Sequence, residues 1–174
     1  MRYTGILLVA LFLCAMGAGT GTMLHMASQV PCLEASRETV GSDLYGNELR
    51  LSDYRGKVVL LVFWMSGGEH AQQQQAVIQR LQQKFKGQPF AVVGVNADAS
   101  RAFAQAAAER GGYDYHSWYD GPRGPIARSW LVTEYPTFYL LDADGDTVQR
   151  YDDFLWEMEV EMDIAGLLRE ARQQ

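Results

Sequence analysis

Few side chains in this chain could carry covalent or acid–base chemistry. There are two cysteines, Cys14 and Cys32, and three histidines, His25, His70 and His116. Disulfide exchange needs one thiol to attack as a thiolate and a second to resolve the mixed disulfide. Cys14 falls in an apolar run near the start and Cys32 stands by itself, so the chain offers no closely spaced pair. Cys32 reads as an unpaired linker thiol or, in the sharper reading, as an intermolecular or surrogate redox thiol. The scattered histidines lack the paired spacing of zinc ligands. Glu69 and His70 suggest an acid–base pair, but adjacent helix residues point in different directions, and Ser66 has no base oriented on it. These three residues read as a solvated helix start. Asp142-x-Asp144-x-Asp146 opens like a calcium loop, yet Thr147 and Asp153 stand where such a loop needs glycine and a bidentate glutamate, so a hairpin turn is expected. Ser66-Gly67-Gly68 would turn N–H groups toward an anion, but Glu69 in the same turn opposes one. No metal and no cofactor is expected.

The surrounding elements follow from periodicity. Val58–Trp64 is a continuous run of β-branched, apolar and aromatic residues, the mark of a strand covered on both faces of a parallel sheet. Met65–Ala71 then turns into a helix with Val77, Ile78, Leu81 and Phe85 at helical spacing, stopped by Gly87. The run Gln72–Gln75 is expected to be the polar face of that helix. Phe90–Asn96 reads as a second buried strand, giving a βαβ unit. Asp98 or Ser100 caps the next helix, with Phe103, Ala106 and Ala107 inward and Gly111-Gly112 ending it. Tyr113–Trp118 is expected to be a short strand, Trp118–Gly121 an aromatic loop used in packing, and Pro125–Trp130 a brief helix. Thr137–Leu141 and Thr147–Tyr151 form a hairpin, and a last helix turns Trp156, Val160, Ile164, Leu167 and Leu168 to the sheet. A short hairpin around Gly46-Asn47 leads into the first strand.

The segment Leu51-Ser52-Asp53-Tyr54-Arg55-Gly56-Lys57, running on through Val58–Trp64, resembles the membrane-tethered or exported thioredoxin-like thiol-disulfide oxidoreductases of the TlpA/ResA type, related to the redoxin and AhpC/TSA proteins. The resemblance covers about Ser42 to Leu168 and implies an α/β thioredoxin-like sandwich, a central mixed sheet with helices on both faces. In that family the equivalent segment enters a Trp-Cys-x-x-Cys motif, with the first cysteine at a helix N-terminus whose free N–H groups lower its pKa. Counted from Trp64, the two cysteines are expected at Gly68 and Ala71, and neither carries sulfur. The resemblance also implies a cis Tyr135-Pro136 bond facing the dithiol. The main chain before that proline pairs in relatives with an extended peptide; a turn kept for folding is the alternative reading. Trp64, Glu69, His70, Tyr135 and Pro136 are the candidate peptide-binding cleft.

One charge, Arg2, precedes the apolar run Ile6–Met16, and small residues follow from Gly17 to Gly21, as in a secretory signal peptide. Residues 1–22 are expected to be a signal peptide or an N-terminal membrane segment, 23–40 a linker, and 41–174 the thioredoxin-like domain. The run falls short of the roughly 20 residues of a spanning helix. Location is then periplasmic, extracellular or anchored on the outer side of a membrane, with membrane contact only through the N-terminal segment if it is uncleaved. The formal charge of −6 argues against nucleic acid and anionic membrane surfaces, which call for clustered Lys and Arg. The expected function is redox-inactive binding of an extended protein segment or envelope protein. The alternative is a thiol-disulfide oxidoreductase or peroxidase-type antioxidant protein that uses Cys32 or a partner's thiol. A structural subunit of an envelope complex is a third class.

Overall fold

Gly46, at a φ of 91°, and Asp43, whose Oδ1 accepts the backbone N–H groups of Tyr45 and Asn47 at 2.8 Å each, turn the chain back on itself. They pair β1 (Val40–Ser42) with β2 (Glu48–Arg50), the hairpin expected around Gly46-Asn47. The computed structural model describes residues 38–68 and 70–173. Cys14, Cys32, His25, the segment 1–22, most of the linker and Glu69 lie outside the described residues.

A 3-10 turn at Leu51–Tyr54 leads into β3 (Val58–Trp64), followed by α1 (Ala71–Lys84), β4 (Phe90–Asn96), α2 (Arg101–Gly111) and β5 (Ser117–Tyr119). Then come α3 (Pro125–Ser129), β6 (Thr137–Leu141), β7 (Thr147–Asp152) and α4 (Glu157–Glu170). The main sheet runs β5-β4-β3-β6-β7. β3, β4 and β5 are parallel, with Trp64 opposite Asn96, while β6 runs antiparallel to both β3 and β7. This is the α/β thioredoxin-like sandwich with a mixed sheet. Asp146 N–H donates to Asp142 Oδ1 at 2.8 Å and closes the β6–β7 hairpin, so the three aspartates are turn residues. Among the described residues no helix is long and apolar enough to cross a membrane.

Strand alternation divides the core in two. Val58, Leu60, Val62 and Trp64 point to the face carrying α1, α2 and α4, whereas Val59, Leu61 and Phe63 meet Ile126 and Trp130 on the face of α3. All seven β3 residues are buried, which is why the strand reads as unbroken apolar sequence.

Four expectations change in the structure. Gln74 and Gln75 are 2% and 5% exposed, so they are not part of a polar face. Phe103 is exposed, because Ala104 and Ala108 form the inner face of α2 and Phe103 lies one residue off that stripe. Trp156 is exposed as the residue before α4, while Val160, Ile164 and Leu168 are buried at four-residue spacing. β5 is confined to Ser117–Tyr119, because Tyr113 and Tyr115 pack instead onto the core that holds Trp64. Of the two candidate caps, Ser100 caps α2 by accepting the N–H of Phe103 at 3.2 Å.

Candidate functional site

At the end of β3 the chain leaves the sheet, and a buried carboxylate fixes where it goes. Asp98, 3% exposed, accepts the N–H of Ser66 at 3.0 Å, its hydroxyl at 2.9 Å and the Asn96 side-chain amide at 2.8 Å. Three donors satisfy a charge that burial would otherwise penalise. Trp64 is held as firmly. Its indole N–H donates to Ser117 Oγ at 3.0 Å, and its ring meets Tyr113 edge-on at 4.7 Å. Gly94 makes this possible, since a Cβ there would lie 2.6 Å from Ser117 Oγ and 2.9 Å from Trp64 Nε1.

Gly68 and Ala71 sit at the helix entrance. Gly68 N–H donates to Met65 O at 3.3 Å, and Ala71 N–H to Gly68 O at 3.1 Å. A Cβ built on Gly68 would meet only Met65 O at 3.5 Å and Ala71 Cβ at 3.7 Å, both ordinary contacts. Both residues open onto a narrow cleft of about 20 Å³ free volume, walled by Trp64, Met65, Gln74 and Pro136 over a floor of Val62, Ile78 and Phe138. That is room for about one water-sized group. Tyr113, Tyr115 and Gln75 complete the lining. Burial, then the Asp98 charge, pushes the Tyr113 phenol up, and burial followed by the Tyr113 and Asp114 charges holds Tyr115 well above its ordinary value. Among the described residues the cleft lining presents no thiol, imidazole or carboxylate.

The Tyr135-Pro136 bond is cis. Pro136 O accepts the N–H of Asp153 at 3.1 Å, while the N–H and C=O of Tyr135 take no hydrogen bond among the described residues. Of the residues singled out by sequence, Trp64, Gly68, Ala71 and Pro136 come together. The Tyr135 side chain leaves for the opposite face, against the core around Phe63 and Trp130, where burial and then the Asp120 charge raise its pKa. His70 also lies outside the cleft lining, with its ring edge-on to Phe154 at 6.0 Å. Glu69 and Cys32 are outside the described residues. Among the described residues no cluster of three His, Cys, Asp or Glu side chains is placed to hold a metal ion.

Gln74 and Gln75 are the site residues that sequence reasoning missed. Gln74 Oε1 accepts the N–H of Leu155 at 2.8 Å, and the Tyr115 hydroxyl donates to Gln75 Oε1 at 3.1 Å. The signal was present: Ala71, Gln74, Gln75 and Ile78 stand at i, i+3, i+4 and i+7, an inward stripe of α1.

Known proteins share this fold. A model of the AhpC/TSA family matches residues 27–150. The thiol-disulfide oxidoreductase ResA of Geobacillus kaustophilus is 27% identical over 126 residues, 72% of either chain. The thioredoxin-like protein YneN of Bacillus subtilis is 32% identical over 103 residues, covering 59% of this chain and 60% of its own. Among solved structures, a Chlorobium tepidum protein assigned as the thiol:disulfide interchange protein DsbE superposes with a TM-score of 0.70 at 27% identity, covering 76% of this chain and 94% of that one. A secreted thiol-disulfide isomerase from Corynebacterium glutamicum gives 0.68 at 25% identity, over 76% and 84% of the two chains. With sheet order, family match and relatives in agreement, the chain belongs to the AhpC/TSA family, as a thioredoxin-like relative of the thiol-disulfide oxidoreductases.

Proposed function

We propose that this chain is an exported, redox-inactive member of its family that binds an extended protein segment of an envelope or secreted partner beside Pro136. One observation carries the reading: the cleft at Gly68 and Ala71, where the resemblance puts the dithiol, is open and has no thiol among its described lining residues, and it adjoins main-chain groups of Tyr135 that take no partner among the described residues. An unpaired N–H and C=O next to a strand are a template for strand addition. Each such bond contributes only about 0.5–1.5 kcal/mol, so most of the affinity has to come from a side chain entering the cleft. Export is supported by Arg2, the apolar run Ile6–Met16 and the small residues after it, and a relative of similar fold is a secreted protein.

The test is titration of the protein with extended peptides selected on it, comparing wild type with Pro136→Ala and Gly68→Trp. The reading expects each variant to bind at least about tenfold more weakly, or ~1.4 kcal/mol. Unchanged affinity in both variants overturns it. The rival reading, catalysis through Cys32, is decided by a disulfide-reduction assay of wild type against Cys32→Ser: turnover lost with Cys32 would establish an enzyme.

A further inference from the structure

The cleft has a polar feature that strand addition does not use. Gln74 and Gln75 both line it, both are more than nine-tenths buried, and in each the amide nitrogen has no hydrogen-bond partner among the described residues. At Gln74 the orientation is fixed, because the backbone N–H of Leu155 can only donate and must face the amide oxygen. At Gln75 the amide is oriented with its oxygen 3.1 Å from the Tyr115 hydroxyl, and in that orientation the nitrogen is the free end. A buried donor without an acceptor is unfavourable by about 1–3 kcal/mol, and two of them beside one small cleft mark a place where an acceptor belongs.

The chemistry of the surroundings narrows the acceptor. None of the described lining residues is Lys, Arg or His, so among them a carboxylate finds no counter-charge for the hydration it loses. A carbonyl oxygen is neutral and has two lone pairs for two donors. The free volume of about 20 Å³ has room for the carbonyl oxygen, about the size of one water, and for no ring. Resting on the docking reading above, we infer that Gln74 and Gln75 form a subsite for one short neutral carboxamide, an asparagine-type side chain of the bound segment, and select against the corresponding carboxylate.

The experiment uses the full chain labelled with nitrogen-15 and two probes of equal shape, acetamide and acetate. Acetamide is expected to move the side-chain NH₂ resonances of Gln74 and Gln75 along a saturating curve, and acetate to bind at least about tenfold more weakly. Acetamide is also expected to shift the backbone amides of Gly68 and Ala71, which line the same cleft, and in the Gln74→Leu/Gln75→Leu double variant those backbone shifts are expected to vanish while the rest of the spectrum stays folded. If that variant does not fold, Gln74→Met serves in its place, with an expected weakening of at least about tenfold. Equal or tighter acetate binding overturns the inference, as does an acetamide response that never saturates, which leaves water as the occupant. Selected peptides that bind while acetamide does not would sink this inference and spare the docking reading. Saturable acetamide binding with no peptide binding would do the reverse.

Discussion

A Cβ on Gly68 would stand 3.7 Å from the Cβ of Ala71, inside the roughly 3.5–4.5 Å separation across a disulfide. The helix entrance thus keeps the spacing of a bridged pair although neither residue carries sulfur. Gly68 is not held in the left-handed region, so a side chain there meets no backbone penalty.

Installing the pair should therefore create a redox centre. Gly68→Cys/Ala71→Cys is expected to purify with a disulfide between the new residues, seen as no increase in free thiols until reductant is added. It should reduce insulin at least about tenfold faster than wild type, because a thiol at a helix N-terminus has a lowered pKa. Two persistently free thiols would show that the spacing is not that of a bridge.

Asp98 should be the anchor of the loop before α1. Asp98→Ala leaves the Ser66 N–H and hydroxyl without their acceptor and is expected to lower stability by about 2–3 kcal/mol in urea unfolding. Hydrogen exchange at Ser66–Gly68 should rise with it. Ser66→Ala, which removes only the hydroxyl bond, is expected to be milder, at about 1 kcal/mol.

Gly94 should tolerate no side chain. Its Cβ would fall 2.9 Å from Trp64 Nε1 and force apart the Trp64–Ser117 bond. Gly94→Ala is expected to lose about 1–3 kcal/mol and to shift tryptophan emission. Gly67→Ala, where nothing lies within 4 Å of the added carbon, serves as the silent control.

Asp43 gives an acid-sensitive hairpin. Burial pushes its carboxyl upward, but the Asn47 side chain and the N–H groups of Asn47, Tyr45 and Gly46 outweigh it, and the folded-state pKa lies below the ordinary value of 3.8. A depressed carboxylate contributes stability that is fully present above the unfolded pKa and is lost as pH falls through the folded one. The stability gap between wild type and Asp43→Asn should be full at pH 6 and shrink below about pH 4. Urea midpoints across that range check it, and a gap independent of pH contradicts the assignment.

Most of the frame was legible because each element buries a continuous apolar pattern. β3 shows this best, with all seven residues apolar in sequence and buried in the fold. The site was less legible. Gln74 and Gln75 lie on the inward stripe of α1, but glutamine carries no apolar signal, and burial there depends on donors supplied by Leu155 and Tyr115, distant in sequence. Phe103 and Trp156 misled in the opposite sense: Phe103 lies one residue off the buried stripe of α2, and Trp156 continues the four-residue spacing of Val160, Ile164 and Leu168 but precedes the first helical residue of α4, so both remain on the surface. Tyr135 was placed in the cleft by its neighbour Pro136, yet consecutive residues leave an extended chain on opposite sides, and only its main chain faces the task proposed for it.

The division of β3 between two compartments separates what can drift from what cannot. The cleft floor, Val62, Ile78 and Phe138, belongs wholly to the compartment beneath α1, and the layer of Leu61, Trp130 and Tyr139 lies across the sheet. Repacking the far layer can tune thermal tolerance without reshaping the cleft, while a methyl group gained or lost beneath α1 alters both at once. Under the docking proposed above, lineages of this chain that differ in what they bind should therefore differ mainly on the near side of the sheet.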